Sequence, residues 1–198
     1  MPRSACLRRC GIRSSCSSDN HLEAVVHEAL EKPDGPLTRE DLESLEKLEA
    51  DRKGIEDLTG LEHCVNLTQF NLFPNRIRDL TPLAALTNLE ELYLNHTQIS
   101  DITPLAALTN LTTLWLDENQ ISDLTPLASL AKLTKLSLWF NQISDITSLL
   151  SLTNLTTLHL EYNPLSQESI EVHVPTLESR GVTVMLGDIL FFGDATKL

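Results

Sequence analysis

Glycine, cysteine, aromatic residues and positive charge are all scarce in this chain of 198 residues, and each scarcity removes a class of function. Seven glycines leave no glycine-rich loop whose backbone amides could cradle a phosphate. Of the four cysteines, Cys6, Cys10 and Cys16 crowd the first segment beside His21. Their spacing matches none of the paired Cys-x-x-Cys patterns that hold zinc, so no metal and no other cofactor is expected. Fifteen lysines and arginines face 28 acidic residues, and past the first twenty residues the balance is 11 basic against 27 acidic. Phosphate backbones and anionic lipids are bound through basic patches, which excludes nucleic acid and membrane surfaces as expected partners. No apolar run is long enough to span a bilayer. Residues 1–18 are rich in Arg and Ser and lack the apolar core of a secretory signal. They read as a disordered leader, with an organellar transit peptide or sequence ahead of the true start as the alternatives; the compartment is left open, with the cytoplasm favoured.

What is present is repetition. Six 22-residue units begin at Arg39, Leu61, Leu83, Leu105, Leu127 and Leu149 and run through Ile170. The clearest is Leu105 to Pro126, in which Leu105, Leu108, Leu111, Leu114, Leu116, Ile121 and Leu124 are candidate core residues. Stepping by 22 keeps nearly all seven columns apolar, with the pattern L-x-x-L-x-L-x-x-N. This predicts an α/β solenoid: a curved leucine-rich-repeat horseshoe segment with a parallel concave sheet and short 3₁₀ or α turns on the convex side. No unit can bury its own apolar edge, so stability must come from stacking. Cys64 falls in the column of Leu86, Leu108 and Leu130 and is read as a small buried hydrophobe.

Polar columns complete the unit. Asn75, Asn119, Asn141 and Asn163 share a position where a buried amide can bond unpaired backbone groups, and Thr97 interrupts them. Thr-Pro at 81–82, 103–104 and 125–126 is read as an N-cap followed by proline at the first helical position. Asp57, Asp79, Asp101, Asp123 and Asp145 recur at the same interval and are read as turn residues bonding their own backbone, not as a calcium ladder. Residues 19–38 are expected to form a helical N-terminal cap, in which Leu22, Val25, Val26 and Leu30 make one apolar stripe. Thr38 and Asp41 have the spacing of a capping box. Residues 171–198 are assigned to a C-terminal cap and tail, with a helix over about 167–179, a last strand at 182–186 and the apolar Ile189 to Phe192 beyond.

Alternation within the strand sends its leucines inward and the residues beside them outward. Three outward columns then collect most of the aromatic residues. The first holds Glu49, Asn71, Tyr93, Trp115, Ser137 and His159; the second Asp51, Phe73, Asn95, Asp117, Trp139 and Glu161; the third Arg52, Pro74, His96, Glu118, Phe140 and Tyr162. Neighbouring strands lie about 4.8 Å apart, so Tyr93, Trp115, Trp139 and Phe140 are expected to form an aromatic band across three units. Phe73, His159 and Tyr162 lie beside it, and Glu91, Asp117, Glu118 and Glu161 form an acidic rim. Aromatic anchors inside a polar rim are the usual composition of a protein-binding hot spot. The outward histidines His96 and His159 stand three units apart, roughly 14 Å by strand spacing, too far to share a metal or a reacting atom, and no catalytic grouping converges.

The unit Leu-Thr-Asn-Leu-x-x-Leu-x-Leu-x-x-Asn-Gln-Ile-Ser-Asp-Ile/Leu-Thr-Pro resembles the 22-residue class of leucine-rich repeats in bacterial internalins and in the regulatory subunit of protein phosphatase one. The resemblance covers about residues 39–170, and the flanks, including Pro175 to Val184, resemble those of internalin-like proteins of environmental bacteria. It implies a curved rod without catalytic activity that binds another protein on its concave face, often through aromatic residues. The expectation is a monomeric, non-enzymatic interaction module for a protein carrying a basic patch. Two other readings remain: a structural or assembly role through the C-terminal tail, and a carbohydrate surface using Trp115 and Trp139 as stacking platforms.

Overall fold

The computed structural model describes residues 20–187, so the expected leader at 1–18, the cysteines within it and the apolar tail lie outside the described residues. Seven three-residue strands form one open parallel sheet in simple sequence order: β1 (Lys47–Glu49), β2 (Gln69–Asn71), β3 (Glu91–Tyr93), β4 (Thr113–Trp115), β5 (Lys135–Ser137), β6 (Thr157–His159) and β7 (Thr183–Met185). From β1 to β6 the pairing follows the repeat, each residue opposite the one 22 places on: Leu48, Phe70, Leu92, Leu114, Leu136 and Leu158 make one inward row, which Val184 closes. Backs of the units are 3₁₀ turns at Leu61–His63, Thr81–Ala85, Thr103–Ala107, Thr125–Ser129 and Thr147–Ser151. The leucine columns lie between sheet and turns.

All seven expected columns of the clearest unit are buried. Full burial of a leucine stabilises by about 1.5–3 kcal/mol, and each unit contributes several, so the stack is held by a continuous apolar seam. Cys64 is fully buried in that seam, and burial first, then the nearby Glu62 charge, pushes its thiol up to about 12.

Polar ladders hold the units at fixed spacing. Asn119 Oδ1 accepts the Ile99 amide at 3.0 Å, while its Nδ2 donates to the Leu94 and Leu116 carbonyls at 2.8 and 2.9 Å. Asn75, Asn141 and Asn163 repeat the arrangement. At the break, Thr97 donates to the Leu94 carbonyl at 2.7 Å and to Asn119 Oδ1 at 3.1 Å, so the next unit's asparagine meets its polar atom. A second ladder escaped the sequence reading. Asn66, Asn88, Asn110 and Asn154 each donate to the carbonyl 23 residues back at 2.8–2.9 Å.

The turn caps are also not the expected ones. Thr81, Thr103, Thr125 and Thr147 are the first residues of their 3₁₀ turns, and their amides are capped by Asp79, Asp101, Asp123 and Asp145, each at 2.8 Å. A carboxylate two residues back reaches the first free amide, which a threonine's own short side chain cannot do. Hydrogen bonds from the threonine side chains, then from their amides, hold all four carboxyls below the ordinary range.

Helices cover the ends. Helix α1 (Asn20–Ala29) turns Leu22, Val25 and Val26 onto β1, and α2 (Arg39–Glu43) carries the capping box, with Thr38 N–H donating to Asp41 at 2.6 Å. Bonds from Lys32 and Thr38 lower the Asp41 carboxyl to about 2. At the other end the helix over 167–179 is interrupted by a π turn, Ser169–His173, before α3 (Val174–Ser179). Pro175 has no amide with which to close an ordinary helical bond in that stretch. Gly181, at φ +88°, then reverses the chain into β7.

Two outcomes follow. Carboxyls with depressed values contribute stability that is complete above the ordinary carboxylate range of about 4 and is lost as pH falls through the depressed values, reached for Asp41 at about 2. Asp79→Ala should therefore lower the melting temperature by a few degrees at neutral pH, with the gap from wild type narrowing in acid; a gap independent of pH would contradict the capping role. Cys64 should stay unmodified when the folded protein is treated with iodoacetamide at mildly alkaline pH and become modified only on unfolding, as peptide mass mapping would report.

Candidate protein-binding face

The strand register brings the outward columns together. Tyr93 lies beside Trp115, and Ser137 separates Trp115 from His159 along the same row. Trp115 is 43% exposed, Phe140 56%, Tyr162 65% and Phe73 36%, whereas Trp139 is half-buried. The rings do not make one continuous band. Tyr93 meets Trp115 edge-on, centroids 5.2 Å apart. Trp139, Phe140 and Tyr162 form a second group, with centroids 5.8–6.2 Å apart and Tyr162 edge-on to Trp139. The two edge-on contacts are of the kind that aromatic quadrupoles favour. Ser137 is why the band divides: where its neighbours in the row carry an indole and an imidazole, it carries a hydroxymethyl.

All four acidic rim residues are tied to this face by hydrogen bonds within it. Glu91 accepts from the Tyr93 hydroxyl at 2.8 Å. Burial, followed by that bond, raises the Tyr93 phenol to about 12. Asp117 Oδ1 accepts the Ser137 hydroxyl and, at 2.9 Å, the Trp139 amide. Burial outweighs both bonds and pushes the Asp117 carboxyl above its usual range. Glu118 pairs with His96 at 3.1 Å; Glu161 pairs with His159 at 3.3 Å while its other oxygen, Oε2, is buried without a partner.

The third outward column carries an unexpected backbone. Arg52, His96, Glu118, Phe140 and Tyr162 all have φ between 53° and 57°, in the left-handed region. There the amides of His96, Glu118 and Phe140 reach across to the next unit's Asp117, Trp139 and Glu161 carbonyls at 2.8–2.9 Å. A bulky residue is uncommon in this region, which costs L-residues roughly 1–2 kcal/mol. Pro74 stands in the same column and cannot follow, because its ring holds φ near −65°.

The sequence reading also passed over a fourth outward column. The residue before each inward strand leucine faces outward as well, giving Lys47, Gln69, Glu91, Thr113, Lys135 and Thr157. Period-2 alternation applied on both sides of the leucine would have found it. Lys135 matters most, because it lines a concavity of about 310 Å³ with Trp115, Asp117, Leu136, Ser137, Trp139, Thr157 and His159. Among the described residues no group of three or more His, Cys, Asp or Glu could hold a metal, and no helix is long and apolar enough to cross a membrane.

A family profile described as Leucine Rich repeats (2 copies) matches residues 87–129 and 131–172. The crystal structure of internalin C2 of Listeria monocytogenes is 30% identical, with 85% of this chain and 93% of that one aligned at a TM-score of 0.59. This chain belongs to the internalin-like leucine-rich-repeat proteins. Internalin F of the same bacterium is also 30% identical, over 84% of this chain and 55% of its own, at a TM-score of 0.67. A leucine-rich-repeat protein of Leptospira interrogans is 26% identical over 73% of this chain and 38% of its own, again at 0.67. The internalin-like chain thus spans 55% or less of these last two. No curated protein sequence matches it. These three solved relatives are bacterial, and leucine-rich-repeat domains of this type generally mediate protein–protein interaction.

Tyr93 in the internalin-like protein should ionise near 12. Glu91→Gln should bring its titration down only part of the way toward the ordinary value of about 10, since burial is the larger cause; an ultraviolet tyrosinate titration reads both values.

Proposed function

We propose that the chain is a non-catalytic interaction module that grips a protein partner on its concave face. Trp115, Phe140 and Tyr162 are the anchors, Tyr93, Trp139, Phe73 and His159 their support, and Glu91, Asp117, Glu118 and Glu161 an acidic rim suited to a basic patch. One observation carries this reading: Phe140 and Tyr162 hold large, mostly exposed rings on left-handed backbone. Glycine would occupy that conformation at no steric cost. The ring contacts around Trp139 recover part of the strain, but more than half of each side chain's surface remains in water. Exposed apolar patches of this kind on soluble domains mark interaction sites.

The test pairs binding with stability. The wild-type protein and a Phe140→Gly/Tyr162→Gly double variant are used as baits in lysate of the source organism, and retained proteins are identified by mass spectrometry. The variant is expected to keep its melting temperature, because the strain it relieves offsets the contacts it loses, and to lose the proteins that wild type retains. A Trp115→Ala/Trp139→Ala bait should lose them too, and removal of residues 187–198 should change nothing. Equal retention by wild type and both aromatic variants would sink the proposal, and loss on removing the tail would move the contact there. If glycans rather than proteins were retained through Trp115 and Trp139, the carbohydrate reading would replace it.

A further inference from the structure

Between the two ring groups lies a notch, and it is lined by both tryptophans of the chain. Ser137 creates it, since a single small residue in a row of large ones leaves about 310 Å³ open on the face of the sheet. That is near the lower end of the range for ligand sites, a size suited to one side chain of a docking protein.

The chemistry of the walls selects the side chain. Indole faces attract cations through the ring quadrupole, more strongly than other aromatic rings do. Behind them stands the Asp117 carboxylate. Its Oδ1 already takes two hydrogen bonds and His159 favours its charge, yet burial outweighs them and Glu161 repels it further. His159 also lines the notch and is held by Glu161 at 3.3 Å, which leaves Lys135 as the one lysine or arginine among the lining residues. Lys135 reaches the notch, but no ion pair of Lys135 occurs among the described residues; it is exposed, on a flexible stem.

We propose that this notch is a specificity pocket for one basic side chain, arginine or lysine, of the protein partner, held between Trp115 and Trp139 and against Asp117. The proposal rests on the concave-face reading and adds the chemistry of the guest. Lys135 acts as a placeholder. Its side chain lines the notch, and the long stem lets the ammonium swing into water when the guest enters. An acidic guest would meet Lys135 but also the Asp117 carboxylate among the lining residues.

The two indole N–H signals in an NMR spectrum report on the notch directly, because no other tryptophan exists in the chain. The full chain is titrated with a blocked Gly-Arg-Gly tripeptide and with its Gly-Glu-Gly counterpart. The arginine peptide should shift both signals to saturation and the glutamate peptide should not. Lys135→Ala removes a competing cation and should tighten the arginine peptide about threefold, while Asp117→Asn should weaken it by at least as much. The exposed Lys135 site keeps the sign of the effect readable even if Asp117→Asn perturbs the sheet. Weaker binding in Lys135→Ala, saturation by the glutamate peptide, or no shift with either peptide would overturn the proposal. Such a failure, with partner capture still abolished by Phe140→Gly/Tyr162→Gly, would remove the notch and leave the concave face intact; failure of both would remove the face as well.

Discussion

Everything in this molecule depends on the requirement that a three-residue strand find all its backbone partners in the units on either side. Such a strand has no stability alone, and neither does the 3₁₀ turn behind it. The 22-residue interval satisfies several demands at once. It keeps strands in register, stacks leucine on leucine, and brings each asparagine amide under the carbonyls of the preceding unit. A slip of one residue would break all of these together, so the register is specified many times over.

That redundancy is what frees the outward columns. Because the inward residues and the two asparagine ladders carry the stack, residues facing out can vary without loss of fold, and here they are aromatic and acidic. The same lateral hydrogen bonds hold the left-handed turn after β3, β4 and β5, which allows Phe140 to sit in a conformation it would not otherwise adopt, and Tyr162 repeats that conformation in the next unit. Strain tolerated by a repetitive scaffold thus puts two rings on the surface beside Trp139.

Much of the fold was legible because its physics is periodic. Leu114 and Leu116 declare a strand by their spacing, and Leu105, Leu108 and Leu111 declare the turn that precedes it. The end caps were legible from Thr38 with Asp41 and from Gly181. Misreadings occurred where two residues competed for one role. Thr81 looked like a cap, but Asp79 reaches the amide from the better distance. Lys135 was overlooked because attention went to the residue after the strand leucine, although the residue before it points the same way.

Sequence by itself determined the unit, the register, the buried columns and the identity of the outward side chains, since each follows from a one-dimensional repeat and the alternation of a strand. Only the tertiary structure decided how those side chains meet. The division of the rings into two groups arises from side-chain volumes in neighbouring units at Ser137, the raised titration of Asp117 from its burial, and the exposure of Phe140 from a left-handed turn closed by the next unit's carbonyl. Each depends on contacts between residues about 20 or more apart, which a repeat predicts in outline and only packing resolves in detail.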